Sequence, residues 1–317
     1  MAPNPHFTNP QRVVSFQIHF AADRVAVSRK IPNVRLRNLA IQLARHLPLR
    51  VKRWVHGSRV LDRLARRSFT TLVGDGETAA IVAGPMRGIL LVTSEHVSHA
   101  HLSGTYELDV LQAVEQLVRD GDVCYDLGAS IGYLSLLMAR RARAVFAFEP
   151  APHAAAEIRR HADANGFAHI TIVPQPVSDS PRLVQFALTD AAYGSSISDG
   201  TTDWPSLELL TTTLDAFVAD HPFPDFVKID VEGFEGHVLE GARTVLARGI
   251  TTWCIELHST GASRHVVSLL NEYGYEVTAL DGAPFSLSDS VIAGELQVIA
   301  SAPRRVSPAD PGMQERS

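Results

Sequence analysis

Cysteine is nearly absent from this chain: its 317 residues hold only Cys124 and Cys254. Each lies inside an apolar run that reads as a strand, so the pair predicts two buried thiols and excludes a disulfide framework or a cysteine-rich zinc site. Long apolar runs are missing as well, and none approaches the roughly 20 residues needed to span a bilayer. Met1 to Pro10 carries no basic stretch followed by an apolar one. The expectation is a soluble, cytoplasmic protein without a secretory leader. Aromatic residues make up only 7%, yet 45% hydrophobic and 20% charged residues suffice for one large core with an appendage.

Acidic residues are scarce at the start of the chain. Residues 1–67 hold 14 Lys and Arg against Asp23 and Asp62, a balance of +12, whereas the remaining 250 hold 15 against 32, a balance of −17. A basic leader on an acidic body suggests a partner for that leader, either an anionic membrane surface, nucleic acid, or the acidic body itself. Up to about residue 33 the prolines Pro3, Pro5 and Pro10 predict loose structure with one strand over 13–20. Over 34–69 the leucines and valines fall near helical spacing and predict two basic helices broken near Pro48 and Gly57.

The sequence also lacks Gly-x-Gly-x-x-Gly, which disfavours a nicotinamide-binding oxidoreductase. In its place Val123-Cys124-Tyr125-Asp126-Leu127-Gly128-Ala129-Ser130-Ile131-Gly132-Tyr133 reads as a buried strand, a glycine turn and a helix start. The spacing Asp-x-Gly-x-x-x-Gly, with its acid inside the motif, points to S-adenosylmethionine rather than NAD. Gly128 and Gly132 let the backbone bend and approach a ligand. Asp126 can accept from a methionine ammonium. Phe146-Ala147-Phe148-Glu149-Pro150 ends the next strand in an acid able to accept from both ribose hydroxyls.

Around this motif, strands and helices alternate. Residues 70–97 predict short strands or hairpins in a cap region reaching residue 103. Helices are predicted over 108–119, 132–141, 152–165, 214–219, 235–247 and 264–273. Strands are predicted over 122–127, 144–148, 170–174, 226–230, 252–256, 276–280 and 296–300, with a looser insertion before 214. This order specifies an α/β fold of the Rossmann-like, doubly wound kind: a mostly parallel seven-stranded sheet over 104–301, with ligands at the carboxyl ends of its strands. The Pro-rich tail, 302–317, reads as disordered.

Several separated blocks resemble the FkbM family of class I S-adenosylmethionine-dependent methyltransferases. They are Gly104-Thr105-Tyr106-Glu107, Asp126 to Tyr133, Phe148-Glu149-Pro150, Asn165-Gly166, Val177-Ser178-Asp179 and Lys228-Ile229-Asp230-Val231-Glu232-Gly233-Phe234-Glu235. The resemblance runs from about Gly104 to His258, and Ser130 stands where the family usually carries Asn. It implies that Glu107, Asp126, Gly128, Ala129, Gly132, Phe148, Glu149 and Asp230 contact the cofactor, and that Val177 and Ser178 flank its adenine. For Ser178-Asp179 taken alone, an ordinary turn is the competing reading. The substrate range it implies is a hydroxyl on a sugar, glycolipid or polyketide-like small molecule.

For the chemistry, methyl transfer to oxygen needs alignment and removal of a hydroxyl proton. Lys228, Asp230 and Glu232 alternate and would share one face if the strand stays extended. Glu256 and His258 repeat that spacing, and His258 is the candidate general base. The competing readings are an ion pair of Lys228 with Asp230 or Glu232, and a hydrogen-bonded loop histidine at 258. Asp230, Glu232, Glu256 and His258 would suit a divalent ion such as Mg, Mn or Zn if they converge. His96, His99 and His101 carry no motif and read as surface histidines, the last two sharing a strand face if that segment is extended.

A methyltransferase of RNA or protein, recruited by the basic leader, is the alternative. Asp230-Val231-Glu232-Gly233 lacks the Asn/Asp-Pro-Pro-aromatic element that positions a flipped base, which disfavours nucleic acid as acceptor. A non-catalytic binding module is the remaining class, and intact acids at Asp126 and Glu149 speak against it.

Overall fold

The computed structural model describes residues 76–189, 195–198, 204–258, 260–285 and 296–302. The expected basic appendage at 1–69 and the tail beyond Ala302 lie outside the described residues. Among those described, no helix is long and apolar enough to cross a membrane.

The described chain opens with strands β1 (Thr78–Ala80) and β2 (Leu90–Val92), an antiparallel pair, followed by helix α1 (His99–Ser103). Then come α2 (Leu108–Leu117), β3 (Val123–Leu127), α3 (Tyr133–Met138), β4 (Ala144–Phe148), α4 (Pro152–Asn165) and β5 (Ile170–Val173). Three short strands follow, β6 (Leu183–Ala187), β7 (Ser196–Ser198) and β8 (Ser206–Leu210). The chain continues through α5 (Leu214–Phe217), β9 (Phe226–Ile229), α6 (Glu235–Glu240), α7 (Arg243–Arg248) and β10 (Thr252–Leu257). It closes with α8 (Thr260–Glu272), β11 (Glu276–Ala279) and β12 (Leu296–Ser301).

Seven strands form the central sheet in the order β11-β12-β10-β9-β3-β4-β5. The five from β10 to β5 run parallel, while β12 is antiparallel to both its neighbours. Every residue of β3 and β9 is buried, as central strands covered on both faces require. Alternation divides the core in two. Tyr125, Phe146, Phe148, Val227, Trp253 and Ile255 pack on one face, and Cys124, Val145, Phe226, Cys254 and Ile299 on the other. Each large side chain buried this way contributes about 1.5–3 kcal/mol. Both cysteines are free and buried, as the sequence predicts, and burial pushes the Cys254 thiol up to about 12.

The sheet order reverses at β3, which has β4 on one side and β9 on the other. In an open α/β sheet that reversal leaves a crevice beyond the carboxyl ends of the strands. Here it falls between Gly128 and Asp230.

The structure departs from the sequence reading in four places. The cap region carries helix α1, because Ser98 accepts from the backbone N–H of His101 while its own N–H donates to His101 Nδ1 at 2.9 Å. That reciprocal cap starts a helix at the end of a cap region that was expected to be β throughout. His101 is therefore fully buried and not a surface histidine. The insertion before residue 214 forms a three-stranded antiparallel sheet, β7-β6-β8. The helix expected over 235–247 is two helices, α6 and α7, because Gly241 lies so close to the Ser178 carbonyl that a Cβ would sit 2.2 Å from it.

Candidate functional site

The glycine turn sits where it does because nothing larger fits. Gly128 has φ 79°, and a Cβ there would lie 1.8 Å from the carbonyl oxygen of Asp230. Backbone N–H groups of Gly128 and Ala129 both donate to the Phe148 carbonyl, at 3.0 and 3.1 Å. The loop is thereby pinned between the ends of β9 and β4. Gly132 then caps α3 at φ 80°.

Two clefts open on either side of this turn and share Gly128 and Asp230 as their common wall. The first, about 430 Å³, is lined by Phe148, Glu149, Val177, Phe186, Ile197 and Phe234 among others. The second, about 420 Å³, is lined by His101, Tyr106, Glu107, Asp126, Tyr133 and Lys228 among others. Of the residues expected to contact a cofactor, Gly128, Ala129, Phe148, Glu149, Val177, Glu107, Asp126 and Asp230 line these clefts. Gly132 and Ser178 do not: Gly132 packs toward Ile158, and the Ser178 hydroxyl donates to Asp179 at 3.2 Å.

Glu149 is held by two backbone donors, Ser130 N–H to Oε2 and Ala151 N–H to Oε1, both at 2.8 Å. Burial nonetheless pushes its carboxyl up to about 7. Asp126 accepts from the Ser135 hydroxyl at 2.5 Å, and burial raises it to about 6. Burial likewise lifts Glu107 above the usual carboxylate range, against the pull of the Lys228 ammonium. A cation entering the second cleft, or hydroxyls entering the first, would relieve these buried acids. This set of acceptors fits a ligand with an ammonium at one end and a ribose at the other.

The aromatic wall of the second cleft was not legible from motifs. His101, Tyr106 and Tyr133 pack in tilted and edge-to-face contacts, with ring centroids 4.2–5.8 Å apart. Burial, then the neighbouring His161 and His99, depress His101 to about 3, so it is neutral. Phe186 and Ile197 of the first cleft come from β6 and β7, and the alternation in Leu183-Val184-Gln185-Phe186 was the available signal.

The acid-rich centre departs from the extended-strand expectation. β9 ends at Ile229, and Glu232 adopts a left-handed backbone with φ 55°. Lys228, Asp230 and Glu232 therefore do not share one regular strand face. Lys228 pairs with Asp230 at 3.3 Å and with Glu256 at 3.5 Å, not with Glu232. Its burial opposes the charge, but Asp230, Cys254, Glu256 and Glu107 outweigh that and keep the ammonium firmly protonated. Glu256 is raised to about 7 by burial and by Asp230.

His258 donates through Nδ1 to Glu235 Oε1 at 2.8 Å, while its Nε2 lies 3.6 Å from both Asp230 and Glu232. The hydrogen bond to Glu235 is the main reason its pKa rises to about 9. His258 is accordingly an imidazolium near neutral pH, a poor proton acceptor. Asp230, Glu256 and His258 each bring a ligand-type atom within 4.8 Å of the others, without Glu232. The Lys228 ammonium already bridges two of them, Asp230 at 3.3 Å and Glu256 at 3.5 Å, so with Lys228 in place the arrangement does not fit a divalent ion.

Among the described residues, the non-glycine positions with positive φ are Glu107, Ser130 and Glu232, at 43°, 50° and 55°. Each costs about 1–3 kcal/mol; Glu107 and Ser130 line the second cleft, and Glu232 lies 3.6 Å from His258.

Residues 126–277 match the family model of the methyltransferase FkbM domain. The hexuronic acid methyltransferase AglP of Haloferax volcanii is 29% identical over 181 residues, covering 55% of this chain and 73% of its own. Among solved structures, the methyltransferase FkbM of Methylobacillus flagellatus KT aligns with TM-score 0.39 at 18% identity, covering 63% of this chain and 52% of its own. The precorrin-6y C5,15-methyltransferase of Geobacter metallireducens GS-15 aligns with TM-score 0.41 at 14% identity, covering 67% and 94%.

Proposed function

We propose that this chain, whose residues 126–277 match the methyltransferase FkbM domain, uses S-adenosylmethionine to methylate a hydroxyl oxygen of a sugar or sugar-bearing molecule. The observation that carries this reading is the pair of clefts meeting at Gly128 and Asp230, one with a ribose-type acid, Glu149, and one with the acids Glu107 and Asp126. The Haloferax volcanii relative is a hexuronic acid methyltransferase, which favours a sugar acceptor over a glycolipid or polyketide-like one.

When bound, the cofactor supplies a methyl group on a positively charged sulfur. The chain's own residues do the rest. Glu149 offers a carboxylate to the ribose hydroxyls, and Phe148, Val177, Phe186 and Ile197 give the neighbouring base an apolar slot. Glu107 and Asp126 offer buried negative charge to the amino-acid end. Because His258 is cationic, removal of the hydroxyl proton falls to a carboxylate, and Asp230 is the acid that faces both clefts. Glu235 and His258 position Asp230 from one side and Lys228 from the other.

Calorimetry with S-adenosylhomocysteine tests the cofactor, and transfer of labelled methyl to a panel of uronic acids, neutral sugars and glycolipids tests the acceptor. Absence of heat with S-adenosylhomocysteine would overturn the cofactor assignment. Label in lipid or protein, with none in saccharides, would overturn the acceptor class.

A further inference from the structure

Lys228 has no exposed surface, yet it carries a full charge into the sheet. Burying an ammonium costs several kcal/mol unless its partners compensate. Its neighbours explain the placement. Asp126 and Lys228 are register partners across β3 and β9, and Lys228 and Cys254 are partners across β9 and β10. The period of two then brings Asp126, Lys228 and Glu256 to the same face of adjacent strands. There the ammonium lies 3.3 Å from Asp230 Oδ2 and 3.5 Å from Glu256 Oε2, while Asp230 Oδ1 is turned to His258 at 3.6 Å.

Glu256, Lys228, Asp230, His258 and Glu235 thus form an unbroken line of alternating charge across the ends of two strands. Two carboxylates and an imidazole within 4.8 Å are a donor set that binds divalent ions in other settings. In this chain the centre of that set is taken by a side chain.

We propose that Lys228 is a built-in cation that replaces a divalent metal ion at the Asp230, Glu256 and His258 cluster and aims Asp230 at the clefts. Lys228 is a positioning residue: it neutralises the acids while leaving one Asp230 oxygen free of itself. The charge is covalently attached, so chelators cannot remove it. The inference is independent of the methyl-transfer reading, because ion uptake is measured without methyl donor or acceptor.

The test is titration of the full chain with Mn²⁺, followed by the paramagnetic resonance signal of the free ion. The unaltered protein is expected to take up no Mn²⁺ at this cluster. Lys228→Met, which keeps the length and removes the charge, is expected to bind one ion per chain with a Kd of about 1 mM or tighter. Adding Asp230→Asn should abolish that uptake, and Lys228→Arg should show none. Lys228→Gln serves as a second neutral variant, with circular dichroism to establish folding. Saturable Mn²⁺ uptake by the unaltered protein that Asp230→Asn removes would overturn the proposal. So would a folded neutral variant that binds no ion.

Discussion

The backbone N–H of Ser130 donates to Oε2 of Glu149 at 2.8 Å, tying the glycine turn to the acid that ends the neighbouring strand. The contact needs Ser130 in a left-handed conformation, φ 50°, and it survives although burial holds the Glu149 carboxyl near pH 7.

That carboxyl makes binding pH-dependent. Its pKa lies at about 7 folded against an ordinary value of 4.5, so the native state keeps a proton that the unfolded chain releases in that window. Stability therefore falls as pH rises from about 4.5 to about 7. A ligand donating hydroxyls to the ionised form should release that proton. Calorimetry of S-adenosylhomocysteine near pH 6.5 in two buffers of different ionisation heat should report proton release. Glu149→Gln should weaken binding at least tenfold, about 1.4 kcal/mol, and remove most of the release. Identical heats in both buffers would contradict the assignment.

His258 is shifted in the same direction, although here the favoured protonated form is the charged one. Its folded pKa of about 9 exceeds the ordinary value of 6.5, so its contribution to stability is complete below about 6.5 and lost as pH rises through about 9. The C2 proton resonance of His258 should titrate near pH 9, and Glu235→Gln should lower that midpoint by at least one unit. A midpoint at or below 6.5 in the unaltered protein would show that the Glu235 bond is not made.

Gly128→Ala should cost stability and binding together. A left-handed backbone alone costs an alanine about 1–2 kcal/mol. The new Cβ would also meet the Asp230 carbonyl, which lies 1.8 Å from its position. Thermal denaturation should show a midpoint several degrees lower, and S-adenosylhomocysteine affinity should fall. An unchanged midpoint would disprove the close approach of turn and strand.

The two faces of the β7-β6-β8 sheet should respond differently. Phe186 is buried against Ala151 and Ala154 and lines the first cleft, whereas Leu183, three residues earlier, is 63% exposed. Phe186→Ala should cost about 3 kcal/mol and weaken S-adenosylhomocysteine binding about tenfold. Leu183→Ala should change stability by no more than about 0.5 kcal/mol. Equal effects at both positions would mean that the sheet does not cover the cleft.

The alternation of strands and helices from 108 to 300, the glycine turn and the strand-end acid Glu149 were all legible in the sequence, because each depends on local periodicity or on a residue with one permitted backbone shape. Helix α1 and the small sheet were not: a histidine fills the capping role usually taken by Glu or Gln, and the strands of the sheet are short and half-exposed. The blocks at 126–133 and 228–235 carry the resemblance to the FkbM methyltransferases, and both fall within the residues 126–277 that match that domain. What only the tertiary structure decided is how the charged residues pair. Lys228 reaches Glu256 rather than Glu232, His258 becomes a cation, and His101 joins an aromatic wall. Those outcomes depend on burial and on distances between strands far apart in the chain, which no local pattern of residues encodes.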